Sequence, residues 1–159
     1  MKKIAIVLIA IIGFAIVSVT SSFCCNTCGQ SETLNGHEWV DLGLPSGTLW
    51  KQYNESTAYT YDYAIRYYDG FLPTSGKFQE LVENCTWEWT GNGYKIIGNN
   101  GNYIYLKANF TRGDDICGAY WSSTKYDSGC CYGLLFYSSI YKVDRTCNLD
   151  YKRNVILCK

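Results

Sequence analysis

Apolar and polar positions divide the chain into three stretches of different rhythm. An unbroken apolar run from Ile4 to Val19 follows Lys2 and Lys3 and gives way to Thr20, Ser21 and Ser22. A basic start, an apolar run of this length and a small-residue exit predict a secretory signal peptide over residues 1–21, cut near Ser21 or Ser22. A retained anchor is the alternative, but the run sits at or below the roughly 17–25 residues that span a bilayer. Residues 22–35 are polar and aperiodic and predict a tether. From residue 36 onward short apolar runs are punctuated by turn residues, and this part predicts one folded domain, 36–159.

Within that domain the segment GHEWVDLGLPSGTLW, residues 36–50, places Trp39, Val40, Leu42 and Leu44 in a short strand. Pro45, Ser46 and Gly47 then make a turn, and a strand restarts at Thr48, Leu49 and Trp50. Residues 51–70 are rich in tyrosine without a clean period, and 61–68 suit either a helix or a strand. Thr74 opens a helix: Phe78, Leu81 and Val82 fall at i, i+3 and i+4, and Thr74 or Ser75 can cap its free N–H groups. The helix should stop near residues 84–85. Asn92-Gly93 and Asn100-Gly101 suit turns with positive φ, so residues 94–97 and 103–106 should pair as a hairpin. Residues 112–117 read as a loop, followed by a strand at AYWSS and strands near 131–137, 140–144 and 153–158. One clear helix among many short strands predicts an α+β fold with a mixed or antiparallel sheet. Trp39, Trp50, Leu81, Trp121 and Phe136 are the expected core.

Composition narrows the function. Export would remove Lys2 and Lys3 and no acid, turning an even balance of 14 basic and 14 acidic side chains slightly acidic. A basic footprint for nucleic acid or anionic membrane is absent. Fifteen tyrosines and five tryptophans serve both cores and recognition surfaces, since tyrosine couples a flat apolar face to a polar tip. Nine cysteines in an exported chain predict disulfides, and the odd number leaves a thiol over, or an intermolecular bond, or a lipid. Cys24 is the candidate for a lipid anchor, although Phe23 stands where processing prefers a small residue. Cys130 and Cys131 are adjacent and point to opposite faces of a strand, so they should not pair with each other. The full pairing stays open.

Catalytic and metal chemistry finds little support. His37 is the sole histidine, which removes a His-based metal centre and leaves a nucleophilic triad dependent on one residue at the domain's edge. Cys25 and Cys28 form an isolated Cys-x-x-Cys pair. Asp114, Asp115 and Asp127 read as exposed acidic loop positions rather than a calcium site. Glu80, Glu83 and Glu88 read as a solvated face. Asn54, Asn84 and Asn109 stand in Asn-x-Ser/Thr sequons, which matter only in a eukaryotic secretory pathway. No cofactor and no catalysis are expected.

Four ordered blocks carry a family resemblance: GHEWVDLGLPSGTLW, FLPTSGKFQELVENCTWEWT, GNGYKIIGNNGNYIYL and AYWSST. Together they resemble the Fibrobacter succinogenes major paralogous domain family. The match covers residues 36–124 in blocks and continues loosely to the end. It implies a C-type-lectin-like fold in a secreted or surface-attached bacterial protein. Residues 51–70 are shorter than the family's usual insert, and Asn154, Val155, Ile156, Leu157 and Cys158 replace an ending that usually contains arginine. The calcium-dependent sugar motifs of true C-type lectins are absent, so the resemblance implies fold and not sugar binding.

The same scaffold serves the variable proteins of diversity-generating retroelements, whose C-terminal ribbon draws on a palette of Tyr, Asp, Ser, Gly, Cys, Leu, Ile, Val, Thr and Arg. Residues 125–151 resemble such a ribbon, with Trp121, Leu134, Phe136 and Val155 as frame. The resemblance implies that Tyr126, Asp127, Ser128, Tyr137, Ser139, Tyr141, Asp144, Asn148 and Asp150 bind ligand, and that Gly129, Cys130, Thr146 and Cys147 also interrupt the frame. An ordinary solvent-facing strand is the plainer reading. The expected function is recognition or adhesion outside the cell or at its surface, toward a protein or glycan. Nucleic acid is not expected, and a membrane only through Cys24. The rival functions are a structural surface protein joined by disulfides and, less favoured, an oxidase of the formylglycine-generating type.

Overall fold

The computed structural model describes residues 32–34 and 37–159. The expected signal peptide, most of the tether and Cys24, Cys25 and Cys28 lie outside the described residues. The described part is α+β and mostly β, with three antiparallel sheets and two helices.

The first sheet holds β1 (Glu32–Leu34), β2 (His37–Asp41) and β3 (Leu49–Lys51) in the order β1-β2-β3. Residues 32–34 were expected in the tether; instead they pair with β2, Glu32 opposite Trp39. Leu42 and Leu44, expected in the strand of Trp39, lie beyond its end yet are buried.

Residues 61–68 resolve as a helix, α1 (Tyr61–Tyr67). Tyr61 and Ala64 are buried one turn apart, and Tyr68 follows one turn further on, so the period is helical even though tyrosines fill both faces. Helix α2 (Ser75–Asn84) begins as expected: the Thr74 hydroxyl accepts from the Lys77 N–H at 3.2 Å. Phe78 and Leu81 are buried on its inner face, and Val82 is half-buried at the edge.

β4 (Thr86–Trp89), β5 (Gly93–Ile97) and β6 (Tyr103–Lys107) form the second sheet. The expected hairpin is present as β5 and β6, with Tyr94 opposite Leu106 and Ile97 opposite Tyr103. Gly101, at φ 83°, supplies the left-handed residue that this turn needs.

The third sheet runs in the order β10-β9-β8-β7. It comprises β7 (Phe110–Arg112), β8 (Asp115–Lys125), β9 (Cys130–Phe136) and β10 (Tyr141–Cys147). The loop expected over 112–117 is a tight hairpin: Arg112 pairs with Asp115, and the chain reverses at Gly113 and Asp114 with Gly113 at φ 62°. A polar run that looks like a loop is a two-residue turn because glycine admits the left-handed conformation.

This third sheet is the wall between two cores. Tyr120, Leu134 and Phe136 face one core, with Trp50, Phe78, Leu81, Ile96 and Ile104. Trp121 and Cys131 face the other, with Trp39, Tyr61, Ala64 and Val155. Period-two alternation sends neighbours to opposite sides, which is why β8 is buried at six consecutive residues, 117–122. All five expected core residues, Trp39, Trp50, Leu81, Trp121 and Phe136, are buried. Burial of the aliphatic and phenylalanine side chains among them contributes about 1.5–3 kcal/mol each.

The C-terminal segment behaves alike without being the strand expected over 153–158. Val155 and Leu157 enter the second core while Ile156 and Cys158 enter the first. It is held by isolated bridges, Tyr59 with Arg153, Tyr120 with Asn154 and Trp50 with Cys158. Closure is tight at Gly118, where a Cβ would fall within the Phe136 ring.

Candidate binding surface

The candidate ribbon is the β9–β10 hairpin. Its register opposes Cys130 to Cys147, Tyr132 to Arg145, Leu134 to Val143 and Phe136 to Tyr141. These eight side chains share one face, because residues directly opposite in an antiparallel ladder project to the same side. Near the Phe136 end this face packs into the first core. Toward the Cys130 end it runs past the core: Arg145 and Cys147 are exposed, and Tyr132 and Cys130 are partly so. Cys130 and Cys147 are joined by a disulfide, so the overhanging end is covalently closed. Cys131, one position away, lies buried on the opposite face, in line with the expectation that the adjacent cysteines do not pair.

The nine expected ligand residues do not gather in one place. Tyr126, Asp127 and Ser128 lie in the β8–β9 loop, and Asn148 and Asp150 in the turn that leaves β10, all near the disulfide end. Tyr137 and Ser139 lie in the β9–β10 turn at the other end, and Tyr141 begins β10 there. A seven-residue strand is roughly 20 Å long, so the two groups are separated by about that distance.

At the disulfide end the loop is bonded to itself. The backbone N–H groups of Tyr126 and Asp127 both donate to the Cys130 carbonyl, at 3.0 and 3.1 Å. The Asp127 carboxylate accepts from the Gly129 N–H at 2.8 Å. The Tyr126 ring, 51% exposed, meets Tyr132 edge-on with centroids 5.6 Å apart. The Arg145 guanidinium lies over the Tyr126 ring at 5.1 Å. Asn148 holds φ at 66°, a left-handed conformation that asparagine tolerates better than most residues. Its carbonyl accepts from the Tyr151 N–H at 3.2 Å, closing the turn.

At the other end the residues differ in kind. The Tyr137 N–H donates to the Ile140 carbonyl at 2.7 Å, and the Arg112 guanidinium donates to the Tyr137 hydroxyl at 3.3 Å. That bond raises the Arg112 pKa. Ser139 is exposed at the tip. Tyr141 is a structural residue: its ring stacks on Trp87 and meets Tyr94 edge-on. Between the ends, the Asp144 carboxylate pairs with Lys142 at 2.6 Å and accepts from the Arg145 N–H at 2.7 Å. These hydrogen bonds hold its carboxyl below the ordinary carboxylate range. Thr146, included among the residues that interrupt the frame, is buried; it faces the second core across from Cys131. The frame residues Trp121, Leu134, Phe136 and Val155 are fully buried.

Tyr132 and Arg145 were missed in the sequence. Once Cys130 is known to oppose Cys147, the two-residue period places Tyr132 opposite Arg145 on the same face. Without the pairing of the cysteines that register is not readable.

Four cysteines in the described residues are unbonded: Cys85, Cys117, Cys131 and Cys158. Burial pushes the thiols of Cys85 and Cys131 up to about 11, so neither is a thiolate at neutral pH. No group of three or more His, Cys, Asp or Glu among the described residues is placed to hold a metal ion. No described helix is long and apolar enough to cross a membrane.

Compared with protein-family models, with curated proteins and with solved structures, the chain gives no match.

Proposed function

We propose that this chain is an exported, non-catalytic recognition domain of C-type-lectin-like fold that binds an extracellular protein or glycan at the disulfide end of its β9–β10 ribbon. One observation carries the reading: Tyr126, Tyr132 and Arg145 converge beside the Cys130–Cys147 disulfide, and their side chains belong to neither core. Tyrosine and arginine give much of the energy at recognition surfaces: tyrosine presents large area with only two rotors to immobilise, and arginine presents a planar fork of donors. A closed ring of backbone lowers the ordering cost further. Asp127, Ser128, Asn148 and Asp150 lie in the loops at this end of the ribbon and add hydrogen-bonding groups and two carboxylates.

Residues 125–151 are also proposed to be a display segment, in which exposed positions vary on an unchanging frame. Fully buried Leu134 and Phe136, set among half-buried Tyr132, Leu135 and Tyr137, support this.

The test has two arms. Binding of the purified chain is measured on panels of extracellular proteins and glycans, and each hit is repeated with Tyr126→Ala, Arg145→Ala and Ser139→Ala. The first two should weaken binding at least about tenfold, as truncation of a hot-spot residue does. Ser139→Ala, at the far tip, should leave it unchanged; equal losses from all three would refute the assignment. In the second arm the gene is sequenced in many cells of one clonal lineage. Changes confined to codons 125–151 would support display, and an invariant gene would leave a fixed binder.

A further inference from the structure

A second site uses none of the ribbon side chains described above. Arg153 lies over the buried Trp121 ring, its guanidinium carbon 4.8 Å from the ring centroid. Its backbone is fixed by reciprocal hydrogen bonds with Tyr59, both 2.9 Å. Its Nε is buried without a hydrogen-bond partner, and neither ion pair of the described residues includes it. The ionisable groups acting on it are a thiol and a phenol, Cys131 and Tyr151, rather than a carboxylate. A cation withdrawn from water with no anion beside it is costly, and the cost falls when an anion arrives.

The space for one is present. Arg153 lines a groove of about 560 Å³ together with Asn109, Phe110, Tyr151 and Lys152. That is the size of site that holds a small organic ligand. Lys152 adds a second positive charge. Asn109 uses its side-chain oxygen to accept from the Ala119 N–H at 3.1 Å, which leaves its NH₂ group as a donor. Phe110 and Tyr151 are 41% and 62% exposed.

These two rings differ from several tyrosines elsewhere on the surface. Tyr59, Tyr63 and Tyr67 stack on one another at 4.8 and 5.3 Å, and Tyr53 stacks on Tyr105 at 5.7 Å. Their faces are engaged with each other. Phe110 and Tyr151 stack on no aromatic ring of the described residues, and both line the groove.

We propose that this groove binds an acidic sugar, with the sugar carboxylate on Arg153 and the ring against Phe110 or Tyr151. The planar guanidinium fork matches a carboxylate in shape as well as charge. A sugar presents apolar C–H faces to aromatic rings and hydroxyls to an amide donor, and the groove offers both. Lys152, exposed at the rim, strengthens attraction to the anion.

The test is calorimetric titration of the chain with digalacturonate and with its methyl ester, which keeps the rings and removes the charge. The acid should bind roughly ten- to hundredfold more tightly than the ester, the range expected for charge-assisted hydrogen bonds. Arg153→Gln should abolish that preference, and Tyr151→Ala should weaken acid and ester alike. Lys152→Gln, at an exposed position, should fold normally and weaken the acid alone, so the proposal remains testable if Arg153→Gln does not fold. Equal binding of acid and ester, or no heat with the acid at millimolar concentration, would overturn it. N-acetyl-dialanine binding as tightly as digalacturonate would overturn the sugar assignment in favour of a peptide carboxylate. None of these results depends on Tyr126 or Arg145, so failure here and failure of the ribbon reading are separable.

Discussion

Tyr141 lies flat against Trp87, the two ring centroids 4.3 Å apart and their planes 7° from parallel. These residues are distant in sequence, and their stack ties the start of β10 to the second sheet. Tyr94 closes the cluster by meeting both rings edge-on. Tyr141→Ala should therefore destabilise the fold by roughly 1–3 kcal/mol, combining lost burial with lost aromatic pairing. Ser139→Ala, exposed two residues earlier, should change stability by no more than about 0.5 kcal/mol. Urea unfolding of the two variants checks the contrast, and equal midpoints would mean that the stack contributes nothing.

The Cys130–Cys147 disulfide spans a sequence separation of 17. Closing a loop of this size restricts the unfolded chain by about 3 kcal/mol in the chain-entropy account. Replacing both cysteines with serine should lower the urea midpoint accordingly. Adding reductant to the native chain should reproduce the shift, and adding it to the double variant should do nothing further. Because the bond lies outside both cores, the far-ultraviolet spectrum of the folded variant should be unchanged.

Stability should decline at alkaline pH. Burial raises the Cys85 and Cys131 thiols from an ordinary value of 9.0 to about 11, and Tyr61 from 10.0 to about 12. In each case the unfolded chain loses its proton first. The contribution is complete below pH 9 and is lost as pH rises from 9 to about 11 for the thiols and from 10 to about 12 for Tyr61. Urea midpoints measured between pH 8 and pH 11 should fall steadily above pH 9. Cys85→Ser should fall less steeply, and a flat profile would show that these groups are not shielded in the folded state.

Gly118→Ala should be among the most damaging single-methyl additions, since the new carbon would need the space of the Phe136 ring. Overpacking of this kind costs about 1–3 kcal/mol. Pairing it with Phe136→Leu should recover part of the loss, whereas a purely additive double variant would place the clash elsewhere.

What could be read from the sequence was local. Thr74 with Phe78 and Leu81 marked α2, and Asn100-Gly101 marked the β5–β6 turn, because each signal lies within a few residues of the structure it specifies. The five expected core residues were legible because large apolar groups have few other places to go. Helix α1 was ambiguous since tyrosines occupy both its buried and exposed faces, which erases the contrast that periodicity relies on. Residues 112–117 looked like a loop because charge surrounds a turn only two residues long. Tyr141 looked like a surface residue because the ring that covers it is donated by β4. Similarly, the convergence of Tyr126, Tyr132 and Arg145 depends on strand register, and Arg153 without an ion partner depends on what surrounds it in space.

The β8–β9 wall has a consequence for how the domain comes apart. Since alternate residues of the same strands belong to different cores, neither core can be lost while the other keeps its lining. Loosening the Trp50 side removes the backing from Tyr120 and Leu134, and with them the strands that hold Trp121. The two halves should therefore melt as one cooperative unit, not in sequence, and a ligand held near Trp121 would stiffen the side on which it makes no contact at all.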